Sequence, residues 1–192
     1  STDRNGTTHQ YSYDALGRLT ADEVATFGAG VDQSVAKHGY TYNAQGQVEQ
    51  STSYDASGNV VNQVQDVYNG FGQLVTEYQA TNGSVDTSST PSVQYGYSDL
   101  EHGSRLMSLT YPNGRVIHYN YGMSGSVEDT IGRLESISDA SGTLQSYTYQ
   151  GLSTALNVTD GNGVQLDITQ DAFGRTAEQD WNKSGTSVDD TT

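Results

Sequence analysis

At 192 residues the chain is long enough for one all-β domain, yet Leu, Ile, Val and Phe supply only 34 of them, while 22 Gly and 14 Tyr stand out. Its 23 acidic and 8 basic residues give a formal charge of −15, which argues against nucleic acid and anionic membrane surfaces as partners, because both need clustered cations. With no cysteine there is no disulfide framework or thiolate metal site, and no run approaches the 18 apolar residues of a membrane-spanning helix.

Few aliphatics and high charge are the composition of disorder. The tyrosines oppose that reading with large, partly apolar faces, and the apolar residues alternate at strand period. The expectation is a folded, thin, Tyr-lined sheet without a thick aliphatic core. No basic n-region or apolar h-region opens the sequence at Ser1, so a mature product or a piece of a longer chain is expected.

One pattern organises the chain. Within residues 11–180 Asp/Asn-x-x-Gly occurs eight times, at 14–17, 43–46, 55–58, 69–72, 129–132, 139–142, 160–163 and 171–174. Random order of 16 Asp, 11 Asn and 22 Gly would give about three. Several spacings match those of short strands joined by tight turns.

Residues 1–10 are polar and lack strand alternation. The first hairpin centres on Tyr13-Asp14-Ala15-Leu16-Gly17-Arg18-Leu19. A three-residue loop closed by Gly17 in the left-handed region pairs Asp14 with Arg18, so Tyr13 faces Leu19 and Tyr11 faces Ala21. Asp suits the first position because its carboxylate accepts backbone N–H groups, and Gly the last because positive φ penalises a Cβ. The same phase sets Tyr42 opposite Val48, Tyr54 opposite Val60 and Tyr68 opposite Leu74. Each aromatic–aliphatic pair contributes about 0.2–1 kcal/mol over an Ala pair.

The polar run 81–92, with Asn82-Gly83 and Pro91, reads as a long loop and a break in the array. Beyond it, Pro112-Asn113-Gly114 makes a hairpin without the tetrad. A three-residue loop pairs Leu109 with Ile117, Met107 with Tyr119 and Arg105 with Tyr121, gathering the apolar residues on one side; a one-residue slip would scatter them. The later tetrads place Glu128 opposite Leu134, Ser138 opposite Leu144 and Gln170 opposite Thr176. Helix is poorly supported throughout, given dense Gly, Asn, Asp and β-branched residues. The tail 181–192 is again polar.

Tyr11-Ser12-Tyr13-Asp14-Ala15-Leu16-Gly17-Arg18-Leu19-Thr20 resembles the YD repeat of the rearrangement-hotspot (RHS) family almost letter for letter. Tyr111-Pro112-Asn113-Gly114-Arg115 through Tyr119-Asn120-Tyr121 is similar to a second phrase of that family. Ile131-Gly132-Arg133-Leu134, Tyr147-Thr148-Tyr149-Gln150-Gly151-Leu152 and Asp171-Ala172-Phe173-Gly174-Arg175 continue the likeness, which covers roughly residues 9–180. The resemblance implies consecutive antiparallel β-hairpins forming an extended curved sheet, a YD-repeat strip that amounts to a partial shell or a β-solenoid-like array. In longer members, among them bacterial polymorphic toxins, insecticidal toxin complexes and teneurins, such strips spiral into hollow shells. This chain lacks the family's Asp-Pro and Gly-Gly-x-Asn-x-Tyr end phrases, so encapsulation and autoproteolysis are not carried over to it.

The domain reading is a polar segment 1–10, a hairpin array 11–180 with a break near 81–92, and a polar tail 181–192. No catalytic, cofactor-binding or metal-binding residue is assigned, and no cofactor is expected. His9, His38, His102 and His118 show no metal-ligand spacing, and His118 is expected to face solvent. Asp160-Gly161-Asn162-Gly163 with Asp167 hints at a calcium loop but reads better as a turn.

The leading expectation is a non-enzymatic extracellular scaffold, secreted or at the cell surface: a shell wall, adhesin stalk or self-assembling subunit. Its partner would be itself, through sheet edges or termini, or the remainder of a longer YD-repeat chain. The alternative is a carbohydrate-binding module using exposed Tyr or Trp181, with glycans as partners. A third reading, a glycosidase-like enzyme on paired carboxylates, is weak because 23 acids supply many pairs and most tetrad Asp residues have a turn role.

Overall fold

The computed structural model describes residues 1–99, 103–183 and 186–191, so that Leu100, Glu101, His102, Ser184, Gly185 and Thr192 lie outside the description. The fold is all-β, built of consecutive antiparallel hairpins in two compact units, Ser1–Gln94 and Tyr95–Thr192.

The first unit holds β1 (Thr8–Tyr13), β2 (Leu19–Thr26), β3 (Lys37–Tyr42), β4 (Val48–Tyr54), β5 (Val60–Tyr68), β6 (Leu74–Ala80) and the first half of β7 (Ser92–Tyr97). Each strand pairs antiparallel with the next in sequence. The second unit takes the rest of β7, then β8 (Leu106–Thr110), β9 (Val116–Asn120), a helix α1 (Val127–Ile131), β10 (Ser136–Asp139) and β11 (Gly142–Gln150). It ends with β12 (Thr154–Asp160), β13 (Val164–Gln170), β14 (Thr176–Lys183) and β15 (Thr186–Thr191), and its antiparallel pairs also follow chain order.

The tetrad's chemistry is visible at five of these eight tetrads. Asp14 Oδ1 accepts the amides of Leu16 (2.9 Å) and Arg18 (3.0 Å), and the Gly17 amide donates to the Asp14 carbonyl (3.0 Å). Asn43, Asp55, Asn69 and Asp171 accept the equivalent two amides. Gly17 has φ +79°, where a Cβ is penalised. The phase follows from these bonds. Tyr13 pairs with Leu19, Tyr42 with Val48, Tyr54 with Val60, Tyr68 with Leu74 and Gln170 with Thr176. Leu109 pairs with Ile117 across the Pro112-Asn113-Gly114 loop.

Four expectations give way. Tyr11 faces Asp22, not Ala21, because Thr20 is an extra residue bulged out of β2 and Ala21 faces Ser12. The same one-residue shift falls at Glu49, Val61, Val75 and Ala177, each three positions past a tetrad Gly. The 129–132 tetrad closes a helix instead of a hairpin. Ser126 caps α1 by accepting the Asp129 amide, Glu128 and Asp129 occupy its first turn, and Gly132 ends it in the left-handed region, so Glu128 does not face Leu134. Asp139 pairs directly with Gly142 across a two-residue turn, which bulges Leu144 and sets Ser138 opposite Thr143. The ends carry strand although their sequences do not alternate. β1 starts at Thr8, β14 runs to Lys183, and β15 pairs with it.

Among the described residues there is no thick core. Ala36 and Ile117 are the buried apolar residues among those described, beside buried Thr7, Thr52, Ser53 and Gln63. Gln63 donates to Thr52 Oγ1 (2.8 Å), and the loop after β6 crosses over it, with Gly83 donating to the Val61 carbonyl and Val85 to Gln63 Oε1. Buried Gln63 and Thr52 thus satisfy each other.

Candidate functional site: interlocked tyrosines

With so little buried aliphatic surface, neighbouring hairpins need another tie, and the tyrosines that end strands supply it. In the first unit the Tyr42 hydroxyl donates to the Leu19 carbonyl (2.6 Å), while the Arg18 guanidinium lies 4.4 Å above the Tyr42 ring. Tyr68 repeats the bond to the Val48 carbonyl (2.9 Å). There Gln47 stands where Arg18 stood, and it reaches the Gly72 carbonyl (2.7 Å).

The second unit uses the same device twice. Tyr121 donates to the Leu106 carbonyl (3.0 Å) beneath Arg105 (4.6 Å), and Tyr149 to the Leu134 carbonyl (2.6 Å) beneath Arg133 (4.3 Å). Each arginine is held in turn. Arg105 donates to the Asp129 carbonyl and carboxylate (2.8 and 2.7 Å), and Arg133 to Glu128 (2.6 Å) and the Gly151 carbonyl (2.5 Å). The Arg105 and Asp129 side chains are only 12% and 15% exposed, so solvent screens this pair little. Burial pushes the Tyr68, Tyr121 and Tyr149 hydroxyls above the ordinary tyrosine range, so each stays a donor at physiological pH.

The arrangement binds hairpin to hairpin. Each grip joins one hydrogen bond, worth about 0.5–1.5 kcal/mol net, to a cation–ring contact of about 0.5–2 kcal/mol where an Arg is present. Turn chemistry alone does not predict this device. Its trace in the sequence is a Tyr at or within one residue of a strand's end, with an Arg or Gln directly before the aliphatic residue it grips, at Arg18-Leu19, Gln47-Val48, Arg105-Leu106 and Arg133-Leu134.

The residues singled out for chemistry fall apart in space. His9 Nδ1 meets Asp22 (2.8 Å), His38 meets Ser53 (3.2 Å), and His118 is solvent-facing. Asp167 turns away from the 160–163 turn and accepts the amides of Asn157, Gln165 and Asn182, which hold its carboxyl below the usual range. Among the described residues no three His, Asp or Glu side chains converge on a metal-sized space. Trp181 is 41% exposed on β14, opposite Leu166. One acidic pair is under tension. Asp66 and Glu77 face each other across β5 and β6, the Tyr68 hydroxyl shares its one proton between the Val48 carbonyl (2.9 Å) and Asp66 Oδ2 (3.3 Å), and buried Asp66 Oδ1 has no partner.

The hairpin fold has solved precedents. The crystal structure of TcdB2-TccC3-Cdc42 matches with a TM-score of 0.56 at 14% identity, over 97% of this chain and 10% of that one. The crystal structure of TcdB2-TccC3-TEV matches with a TM-score of 0.50 at 12% identity, over 95% and 10%. The likeness is one of fold. The chain spans about a tenth of the length of these proteins. No protein-family model matches the sequence, and no curated protein does.

Proposed function

We propose that this chain is a wall-building segment of the YD-repeat kind, a non-enzymatic structural scaffold that is secreted or displayed at a cell surface. The observation that carries the reading is the tyrosine grip, used four times with the same atoms. A module repeated for joining neighbours is the economy of a scaffold, in which stability sums over unit-to-unit contacts. The fold likeness to TcdB2-TccC3 chains and the YD-like phrases support the same reading. Its partners are further strands, from copies of itself or from the rest of a longer repeat chain.

A carbohydrate platform needs free aromatic faces, and Arg18, Arg105 and Arg133 already cover those of Tyr42, Tyr121 and Tyr149. Sedimentation across a concentration series, paired with a glycan array, tests the proposal. Concentration-dependent association without glycan binding is expected. A strict monomer that binds one glycan through Trp181, or turns over a glycoside through one acidic pair, would overturn it.

A further inference from the structure

Five asparagines of this chain are followed directly by glycine: Asn5, Asn69, Asn82, Asn113 and Asn162. The pair is chemically labile, because glycine presents its amide nitrogen to the asparagine carboxamide without a Cβ in the way. Local bonds pin four of the five carboxamides. Asn5 Oδ1 accepts the Thr7 amide (3.1 Å) and hydroxyl (2.7 Å), and Asn69 Oδ1 the amides of Phe71 (2.9 Å) and Gln73 (3.0 Å). Asn113 Oδ1 accepts the Arg115 amide (3.0 Å) and Asn162 Oδ1 the Val164 amide (2.9 Å). Each must break a bond before its carbonyl carbon can turn to the following nitrogen.

Asn82 differs. It is exposed, and its side chain makes no hydrogen bond among the described residues. A Cβ placed on Gly83 would meet nothing within 4 Å, so there is room for a ring to close. The restraint at this pair is the Gly83 amide, which donates to the Val61 carbonyl (2.9 Å). Gly6, Gly114 and Gly163 donate to backbone carbonyls as well, in addition to having pinned asparagines before them. The turn at Asn82 is also a hook. Ala80 pairs with Gln63 on β5, and five residues later the Val85 amide returns to Oε1 of the same buried Gln63 (2.9 Å).

We infer that Asn82 is the spontaneous deamidation site of the folded chain, and that its isoaspartyl product unhooks the loop after β6 from Gln63. When the turn opens briefly, the Gly83 nitrogen leaves the Val61 carbonyl and attacks Asn82 Cγ. The N–Cγ bond forms and the Cγ–Nδ2 bond breaks. The proton of the Gly83 amide passes through water to Nδ2, which departs as ammonia. Water then opens the cyclic imide. Addition at the main-chain carbonyl leaves a free carboxylate there and routes the backbone through Cβ and Cγ, one carbon longer than before. The span from Ala80 to Val85 starts and ends at Gln63, so it has no slack for that carbon. Gly83 and Val85 lose their bonds, buried Gln63 Oε1 loses its donor, and the new carboxylate adds to a formal charge of −15.

The test is incubation of the full chain in mildly alkaline buffer, followed by peptide mapping for mass gain and isoaspartate at each Asn-Gly pair. In the folded chain Asn82 should convert at least ~5-fold faster than any of the other four. In concentrated urea, where the pinning bonds are gone, the five rates should fall within about twofold of one another. The converted chain, separated by its added charge, should lose exchange protection at the Val85 amide. Asn82→Ser, which cannot form the imide, should keep that protection through the same incubation. Conversion of Asn5, Asn69, Asn113 or Asn162 as fast as Asn82, the same lead for Asn82 in urea, or intact Val85 protection after full conversion would overturn the inference.

Discussion

The hydroxyl of Tyr149 donates to the carbonyl of Leu134 at 2.6 Å, tying β11 to the chain just before β10 under the cover of Arg133. Removing that hydroxyl in Tyr149→Phe leaves ring and cation in place. The expected cost is about 0.5–1.5 kcal/mol, read as a lowered urea midpoint with unchanged slope. Tyr13→Phe serves as the internal control, because its hydroxyl touches nothing, and should be neutral to within about 0.5 kcal/mol.

Two glycines separate conformational from steric demand. At Gly17 a Cβ would meet open space but sit at φ +79°, so Gly17→Ala should cost about 1–2 kcal/mol through backbone strain alone. At Gly28, where no positive φ applies, a Cβ would come within 2.4 Å of the Asn5 carbonyl oxygen. Gly28→Ala must therefore displace backbone and should cost more, about 2–4 kcal/mol, with exchange protection lost at the Thr7 amide. Thermal unfolding of the two variants ranks them.

Asp66 gives the first unit an inverted acid response. Burial raises its carboxyl above the ordinary range, Glu77 opposite on β6 raises it further, and the Tyr68 hydroxyl only partly offsets this. Asp66 and, from β4, Glu49 line one cleft of about 380 Å³. The folded chain binds this proton more readily than the unfolded chain. The penalty is therefore present in full above the folded pKa and is relieved as pH falls through it. Exchange protection across β4 to β6 should increase on mild acidification in the native chain. Asp66→Asn should be protected at neutral pH and lose that pH dependence.

Asp139 responds in the opposite sense. The hydroxyl of Ser141, the Ser141 amide and Arg115 hold its carboxyl down to about 2 from 3.8. Its contribution is present above the ordinary carboxylate value and lost as pH falls toward 2. Carbon-detected titration should find Asp139 near 2 in the native chain and nearer 3.8 in Ser141→Ala.

Much of the fold was legible because local bonds set it. The Asp14 carboxylate and Gly17 fix where the first hairpin turns, and Tyr13 must then meet Leu19; the same logic carries through Tyr42, Tyr54 and Tyr68. What failed lies where one motif serves two geometries or where the ladder absorbs an extra residue. Asp129-x-x-Gly132 spells a turn, yet Ser126 three residues earlier makes it a capped helix. Nothing in the identity of Thr20 marks it as a bulge, so the Tyr11–Ala21 pair was misplaced by one. The grip was hidden for a third reason: it joins Arg18 to Tyr42 and Arg133 to Tyr149 across a whole strand and loop, a range at which turn chemistry says nothing.

The central claim is that a cation and a tyrosine act as one unit to join adjacent hairpins. A double-mutant cycle on Arg18→Ala and Tyr42→Ala, measured by urea unfolding, tests it most directly. A coupling of about 0.5–2 kcal/mol is expected, because each single change already breaks the shared contact. Costs that add to within about 0.3 kcal/mol would show that the stacked pair contributes nothing jointly, and would contradict the account.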